Sequence, residues 1–205
     1  MLGVNRLDYR SVRARRQERA RQLPGDELLA SSVGTFTHGI TIRASRADVW
    51  PWLAQMGAGT RGGWYSYDWL DNGRQRSAQR IIPELQHLNV GMLFPAGPGV
   101  TDGFSLLAYE PQRLLILAWL SPDSVPLVTW AFLLEEINEH TTRLVVRARG
   151  GAGYQFHGLP WPVAKHAVRA VHFLMERRQL LGIAQRAEAL ARARAHMPEA
   201  RRKAA

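Results

Sequence analysis

The order in which strand-like and helical segments follow one another limits this chain more than any other feature of its sequence. Short apolar segments, separated by Pro and Gly turns, indicate strands at 90–95, 103–109, 114–120, 128–137 and 142–150. A single long helical segment follows at 163–194, after Pro160 and Pro162. Strands that are segregated from helices along the chain are typical of α+β domains. We therefore predict an antiparallel sheet whose hydrophobic face is closed by the last helix.

The last two strands show which face of the sheet is covered. They are joined across residues 138–140, a turn of hairpin length and composition. Alternation gives the two strands one apolar face, formed by Trp130, Phe132, Leu134, Leu144, Val146 and Ala148. The opposite face of the second strand carries Arg143, Val145, Arg147 and Arg149. We expect a sheet that is covered on one side only, with Arg147 outside.

The N-terminal part of the chain is predicted to form smaller elements. An arginine-rich helix is indicated at 8–22, a linker at 26–36 and a first strand at 37–43. Ser45 is a good N-cap for a short amphipathic helix that extends to Met56. Glycines between 57 and 63 indicate a flexible loop, and an aromatic segment follows at 64–72.

The basic charge of the chain is concentrated at its two ends. The net charge is +10, and the chain contains no cysteine, so it has no disulfide, thiolate metal site or cysteine nucleophile. Residues 1–25 contribute +5 and residues 186–205 contribute +4, which leaves +1 for the region between them. We expect solvated basic ends that associate weakly with anionic surfaces, and no specific nucleic-acid binding. Without a signal-like or membrane-spanning apolar stretch, the expected location is the cytoplasm.

Several motifs resemble proteins of the SRPBCC superfamily, also called START-like or birch-pollen-allergen-like. The opening segment, ITI at 40–42 and ADVWPWL at 47–53, is similar to its polyketide cyclase/dehydrase-like branch. The most specific motif is RGGWYSYDWLDN at 61–72, which resembles a bacterial subgroup of unassigned activity. The resemblance extends over residues 23–190, with further matches at 55–57, 80–84, 129–132, 142–147 and 171–177.

The resemblance implies a helix-grip fold, in which a curved antiparallel sheet wraps around a long C-terminal helix and an internal apolar cavity. It implies a START-like domain at 26–190, a basic N-terminal extension at 1–25 and a basic tail at 191–205 that continues the last helix. It implies no particular chemistry, because the superfamily includes lipid carriers, hormone receptors and cyclases.

Aromatic side chains are the main candidates for lining such a cavity. Trp64, Tyr65, Tyr67 and Trp69 would either line its mouth or cap the open end of the sheet. Further candidates on the strands, which would lie in the pocket or fill the core, are Phe104, Trp119, Trp130 and Phe132.

Polar candidates lie on the last helix and in the aromatic segment. His172 and Glu176 are four residues apart and share a helix face, next to Met175. They would provide a polar anchor, an acid/base pair or a surface interaction. No third metal ligand is apparent in the sequence, and we expect neither a metal nor a cofactor. Asp68 and Asp71 would bind a ligand, activate water or cap the local helix.

Three classes of function are compatible with these features. The first is a carrier or sensor of a small hydrophobic molecule, which is lipid-like, polyketide-like or aromatic. The second is a cyclase/dehydratase-type enzyme, whose candidate residues are Tyr65, Tyr67, Asp68, His172 and Glu176. The third is a module that docks on acidic partners through the basic ends. The sequence leaves the ligand and the oligomeric state open.

Overall fold

Six antiparallel strands and one long helix form the framework of the molecule. The computed structural model describes residues 11–29, 31–151 and 161–196, with the side chains of 161–169 left out. The elements are α1 (Arg16–Ala20), β1 (Gly34–Ile42), α2 (Arg46–Ala54), α3 (Asp68–Asp71), β2 (Leu93–Pro95), β3 (Gly103–Glu110), β4 (Leu114–Leu120), β5 (Pro126–Asn138), β6 (Thr141–Gly150) and α4 (Trp161–Ala195).

The strands form one curved sheet in the order β1-β6-β5-β4-β3-β2. Strands β2 to β6 follow one another as hairpins, and β1 returns to pair with β6, with Phe36 opposite Ala148. On the other side of β6, Ala148 lies opposite Trp130. The predicted alternation of the last two strands is confirmed by this register. The chain has the α+β fold that the order of its elements predicts, in the helix-grip form that the resemblance implies.

Helix α4 packs on the concave face of the sheet mainly through its C-terminal half. Leu180, Ile183 and Ala187 are fully buried in the core. Towards the N-terminus of the helix, Val171 and Leu174 are exposed. The helix therefore closes the sheet tightly at one end and leaves space beneath it at the other.

Helix α2 begins as predicted at Ser45. The Ser45 hydroxyl accepts a hydrogen bond from the Asp48 amide, which satisfies one of the free N–H groups of the first turn. Trp52 and Leu53 are buried against the sheet and α4. Among the described helices, none is long and apolar enough to cross a membrane.

The convex face of the sheet is not open to solvent, contrary to the prediction. Arg143 donates to the Glu18 carboxylate at 2.8 Å, and Arg147 donates to Asp26 at 2.6 Å. Both arginine side chains are buried, because residues 11–29 cover them. The expected exposure of Arg147 is wrong for this reason: two acidic residues in a basic segment give the arginines buried partners. The basic segments 1–10 and 197–205 lie outside the described residues.

Candidate functional site

A cavity of about 650 Å³ lies between the N-terminal half of α4 and the concave face of the sheet. Its wall is mostly apolar. The aromatic residues that line it are Phe36, Trp64, Phe104, Trp119 and Trp130. The polar residues that border it are Ser66, Asp71, Arg149, His172, Glu176 and Gln179, of which Arg149 directs its guanidinium to Asp26 on the convex face.

The aromatic wall is a cluster of rings in mutual contact. Trp64 stacks on Trp130 with ring centres 5.5 Å apart. Phe104 contacts Trp130 at 5.2 Å and meets Trp119 edge-to-face at 5.5 Å. The strand register explains the cluster, because Trp119 on β4 and Trp130 on β5 point to the same face of the sheet. These contacts hold the rings in place and leave their remaining surface for the cavity.

Trp64 reaches the cavity because the backbone turns sharply after it. Tyr65 has a left-handed backbone, with φ of 60°, which interrupts any regular alternation of the aromatic segment. The Trp64 indole donates to the Pro95 carbonyl at 3.0 Å and so is fixed in orientation. Ser66 donates to the Met175 carbonyl at 3.2 Å, which connects this segment to α4.

Glu176 is a buried carboxyl group in the wall of the cavity. Its side chain is 2% exposed, and Oε1 has no hydrogen-bond partner among the described residues. Burial raises the pKa of Glu176 to about 8, and the nearby Trp130 indole N–H offsets only part of this increase. The Trp130 indole N–H lies near the carboxyl group but forms no hydrogen bond with any described residue. At neutral pH, Glu176 is therefore mainly a neutral acid that can donate a hydrogen bond.

His172 lies one helical turn before Glu176. Its Nε2 is 3.9 Å from Glu176 Oε2, and its ring stacks on Phe36 with centres 4.7 Å apart. Burial, followed by the proximity of His38, lowers the pKa of His172 to about 4. The imidazole is therefore neutral at pH 7 and can accept a proton or bind a metal.

His38 is a second histidine at this end of the cavity. It lies on β1, two residues after Phe36, so both side chains point to the concave face. Its ring centre is 5.8 Å from that of His172, and burial lowers its pKa as well. Its Nδ1 is buried, and no hydrogen-bond partner for it lies among the described residues.

Asp71 and Gln179 complete the polar part of the wall. Gln179 is buried three residues after Glu176, and its Oε1 has no partner in the described part of the chain. Burial, with a smaller effect of Asp68, raises the pKa of Asp71 to about 6. Asp68 itself accepts hydrogen bonds from the amide and hydroxyl of Ser77, so it supports the loop.

Seven of the predicted cavity residues lie in the wall: Trp64, Phe104, Trp119, Trp130, His172, Met175 and Glu176. The other four lie elsewhere. Tyr65 is buried between Trp52 and Arg186. Trp69 is 67% exposed, and Tyr67 packs against it. Phe132 lies in the core beneath Trp130.

The sequence prediction missed Phe36, His38 and Gln179. The first strand was predicted to begin at Thr37, one residue after Phe36, although alternation from Ile40 back through His38 reaches it. Gln179 follows Glu176 at helical spacing, on the same face of α4 as His172. These patterns were available, but they became informative only once the inward face of α4 was known.

Comparisons with known proteins give weak structural similarities. No family profile and no curated protein matches the chain. The aromatase/cyclase Zhui from Streptomyces sp. R1128 is 16% identical, with 76% of this chain and 93% of that one covered and a TM-score of 0.45. Protein MLL2253 from Mesorhizobium loti is 15% identical, and the match covers 75% of this chain and 96% of that one with a TM-score of 0.45. A Thermobifida fusca protein is 13% identical, and the match covers 76% of this chain and 94% of that one with a TM-score of 0.46. At this level of similarity, the neighbours do not indicate what this chain binds.

Proposed function

We propose that this chain binds a small hydrophobic molecule in its cavity, as a carrier or a sensor of the START-like type. The observation that carries the proposal is the space of about 650 Å³ lined by five aromatic side chains. Protein interiors normally contain few voids larger than a water molecule. A mostly apolar cavity of several hundred Å³ with a few polar groups is typical of small-molecule sites.

The wall favours a ligand with a flat apolar body and a polar group at one end. Trp119 and Trp130 present ring faces and edges against which an aromatic or polyketide-like body would pack. Glu176 and Gln179 on α4 face the same cavity, and each has an oxygen atom without a partner among the described residues. A ligand hydroxyl or carbonyl would satisfy these groups, because a neutral acid can both donate and accept.

Native mass spectrometry of the freshly purified chain, followed by solvent extraction, tests this proposal. We expect a co-purified hydrophobic molecule, or binding of polycyclic aromatic or fatty-acid probes at one per chain. Trp119→Ala should weaken that binding at least about tenfold through the lost ring contact. Trp69→Ala is the matched control, because Trp69 is on the surface and should leave binding unchanged. An empty chain that binds no probe, or equal effects of the two substitutions, would contradict the proposal.

A second candidate is a cyclase/dehydratase-type enzyme that uses the same cavity. It is favoured by the convergence of His172 and Glu176 within 3.9 Å inside the wall. A neutral carboxylic acid and a neutral imidazole can donate and accept a proton on one bound molecule. Tyr65, Tyr67 and Asp68, the other catalytic candidates, lie outside the cavity wall.

Product analysis separates the two candidates. An enzyme would convert a bound polyketide-like probe, for example with loss of water, and Glu176→Gln would abolish conversion while binding persists. A carrier would return every probe unchanged. Recovery of unchanged probes from saturated wild-type protein would therefore exclude the enzyme for those probes.

A further inference from the structure

Two histidines and a carboxylate meet beside the cavity, where His172 and Glu176 line the wall and His38 lies next to His172. His38, His172 and Glu176 each offer one ligand atom, and these three atoms lie within 4.8 Å of one another. His38 comes from β1, whereas His172 and Glu176 come from one face of α4. The sequence revealed only the two helical donors, because the third is supplied by a strand that is distant along the chain.

All three side chains carry polar atoms that the described residues leave unsatisfied. These atoms are Nδ1 of His38, Nδ1 of His172 and Oε1 of Glu176, and each is buried. Buried polar atoms in proteins almost always have a partner, whether protein, water or ion. Three such atoms on side chains that face one another could be satisfied by one shared partner, and Glu176 is more than nine-tenths buried.

We propose that His38, His172 and Glu176 bind a divalent transition cation of the Zn²⁺ type, with its remaining coordination positions directed into the cavity. Imidazole nitrogen and carboxylate oxygen are the ligands that such cations prefer. Three protein ligands with an open position is the arrangement of catalytic rather than structural zinc sites. The cation site goes beyond the proposed function, because it needs only these three side chains and no hydrophobic ligand, although Glu176 faces both.

The chemistry of the three groups fits a cation. Each imidazole has a buried Nδ1 atom without a partner among the described residues, and a neutral imidazole nitrogen is a metal ligand. The Glu176 carboxylate is buried, and a cation bound to it would balance its negative charge. Tetrahedral ligands about 2.1 Å from zinc lie about 3.4 Å apart. The most widely separated ligand atoms therefore have to approach one another by up to about 1.4 Å, through changes in side-chain torsion angles.

Metal titration of the full chain after removal of metal with a chelator tests the site. We expect one equivalent of Zn²⁺ per chain in competition with a chromophoric chelator, and visible d–d absorption with Co²⁺. His38→Ala and Glu176→Gln should each weaken binding about 100-fold or more. His140→Ala is the control, because its imidazole is exposed in the β5–β6 turn, and it should change the affinity less than twofold.

Several results would overturn the proposal. They are less than half an equivalent bound by the wild-type chain, or equal affinities of the wild-type, His38→Ala and Glu176→Gln chains. If His38→Ala does not fold by circular dichroism, X-ray absorption of the wild-type zinc complex decides. Two imidazoles per ion would support the site, and one or none would contradict it. Hydrophobic probes bound by metal-free protein would separate this result from the proposed function.

Discussion

Asp71 shows at the scale of one residue how the cavity affects a charge. Its carboxyl group lines the cavity, and neither oxygen has a hydrogen-bond partner among the described residues. Burial, with a smaller contribution from Asp68, raises its pKa from 3.8 to about 6. A raised acid pKa means that the folded chain binds the proton more tightly than the unfolded chain. Stability is therefore lost as the pH rises from about 4 to about 6.

We predict that Asp71→Asn stabilises the chain at pH 7. The substitution removes the need to ionise a buried group and should raise the free energy of unfolding by about 1–3 kcal/mol. At pH 4 the two chains should have similar stability, since Asp71 is then mostly neutral when folded. Urea denaturation at both pH values measures this. Asp102→Asn, at an exposed position, should show no such pH-dependent difference, and a gain for Asp71→Asn that is equal at both pH values would contradict the explanation.

Gly182 marks the closest contact between α4 and the aromatic segment. A Cβ atom at this position would lie 2.4 Å from the Tyr65 carbonyl oxygen. Gly182→Ala should therefore destabilise the chain by about 1–3 kcal/mol, although alanine is the better helix former. Ala189→Gly, at an exposed position on the same helix, should lose about 0.5–1 kcal/mol through helix propensity alone. Thermal unfolding of both variants provides the comparison, and an increase in Tm for Gly182→Ala would show that the segment does not approach the helix.

At the scale of elements, the side chains that α4 directs towards the sheet change from polar to apolar along the helix. Its C-terminal half turns Leu180, Ile183 and Ala187 to the core, whereas its N-terminal half turns His172 and Glu176 to the cavity. Apolar burial in the first region supplies the stability that the polar and partly unsatisfied second region lacks. One helix thus joins the core and the candidate site.

The segment that contains α1 acts as a cover for the convex face. Burial disfavours the Glu18 charge, but the hydrogen bonds and charges of Arg143 and Arg15 together outweigh this, so the pKa of Glu18 is lowered. Glu18→Gln would leave Arg143 buried without its charge partner and should cost about 3–5 kcal/mol at pH 7. The loss should shrink as the pH falls below about 4.5, because the unfolded wild-type chain then binds a proton at Glu18 that the folded chain binds only at lower pH. Chemical denaturation over this pH range measures both effects.

The control for Glu18→Gln is an ion pair on the surface. Glu110 pairs with Arg113 at 2.7 Å, but both side chains are more than half exposed. Glu110→Gln should therefore change stability by less than about 1 kcal/mol. A comparable loss in the two variants would mean that residues 11–29 do not cover the sheet as described.

Local patterns predicted the strands and the last helix well. They overestimated the helix at 8–22, which among the described residues is helical only at Arg16–Ala20, and they predicted the partners of the elements poorly. Alternation alone was sufficient to place Trp130 towards the concave face, because a single pairing register puts the apolar residues of both hairpin strands on the same face. The same alternation left Arg143 on the outer face but could not show what covers it, since Glu18 lies in a segment dominated by arginines. His38 looked like any strand residue, and its contact with His172 depends on how α4 crosses β1. Contacts between distant segments are what a single sequence does not show.

At the scale of the whole molecule, the fold divides stability and candidate function between its two ends. The closed end is filled by α2, α4 and the sheet, whereas the other end contains about 650 Å³ of mostly apolar space. Apolar cavities are unfavourable, because their lining loses dispersion contacts. A chain selected only for stability would fill this space with side chains. A larger side chain in the cavity should therefore raise the free energy of unfolding and lower the affinity for the ligand.

Ala148 is the position at which this trade-off can be tested. It lies between Phe36 on β1 and Trp130 on β5, and its side chain faces the cavity. Ala148→Leu adds three carbon atoms to the empty space and should raise the free energy of unfolding by about 1–2 kcal/mol. The same atoms would occupy part of the ligand volume, so the affinity for hydrophobic probes should fall at least about tenfold. Ala189→Leu, on the exposed face of α4, should change neither quantity by as much. A destabilised Ala148→Leu chain would show that the cavity is already filled, whereas a stabilised chain with undiminished binding would place the ligand elsewhere.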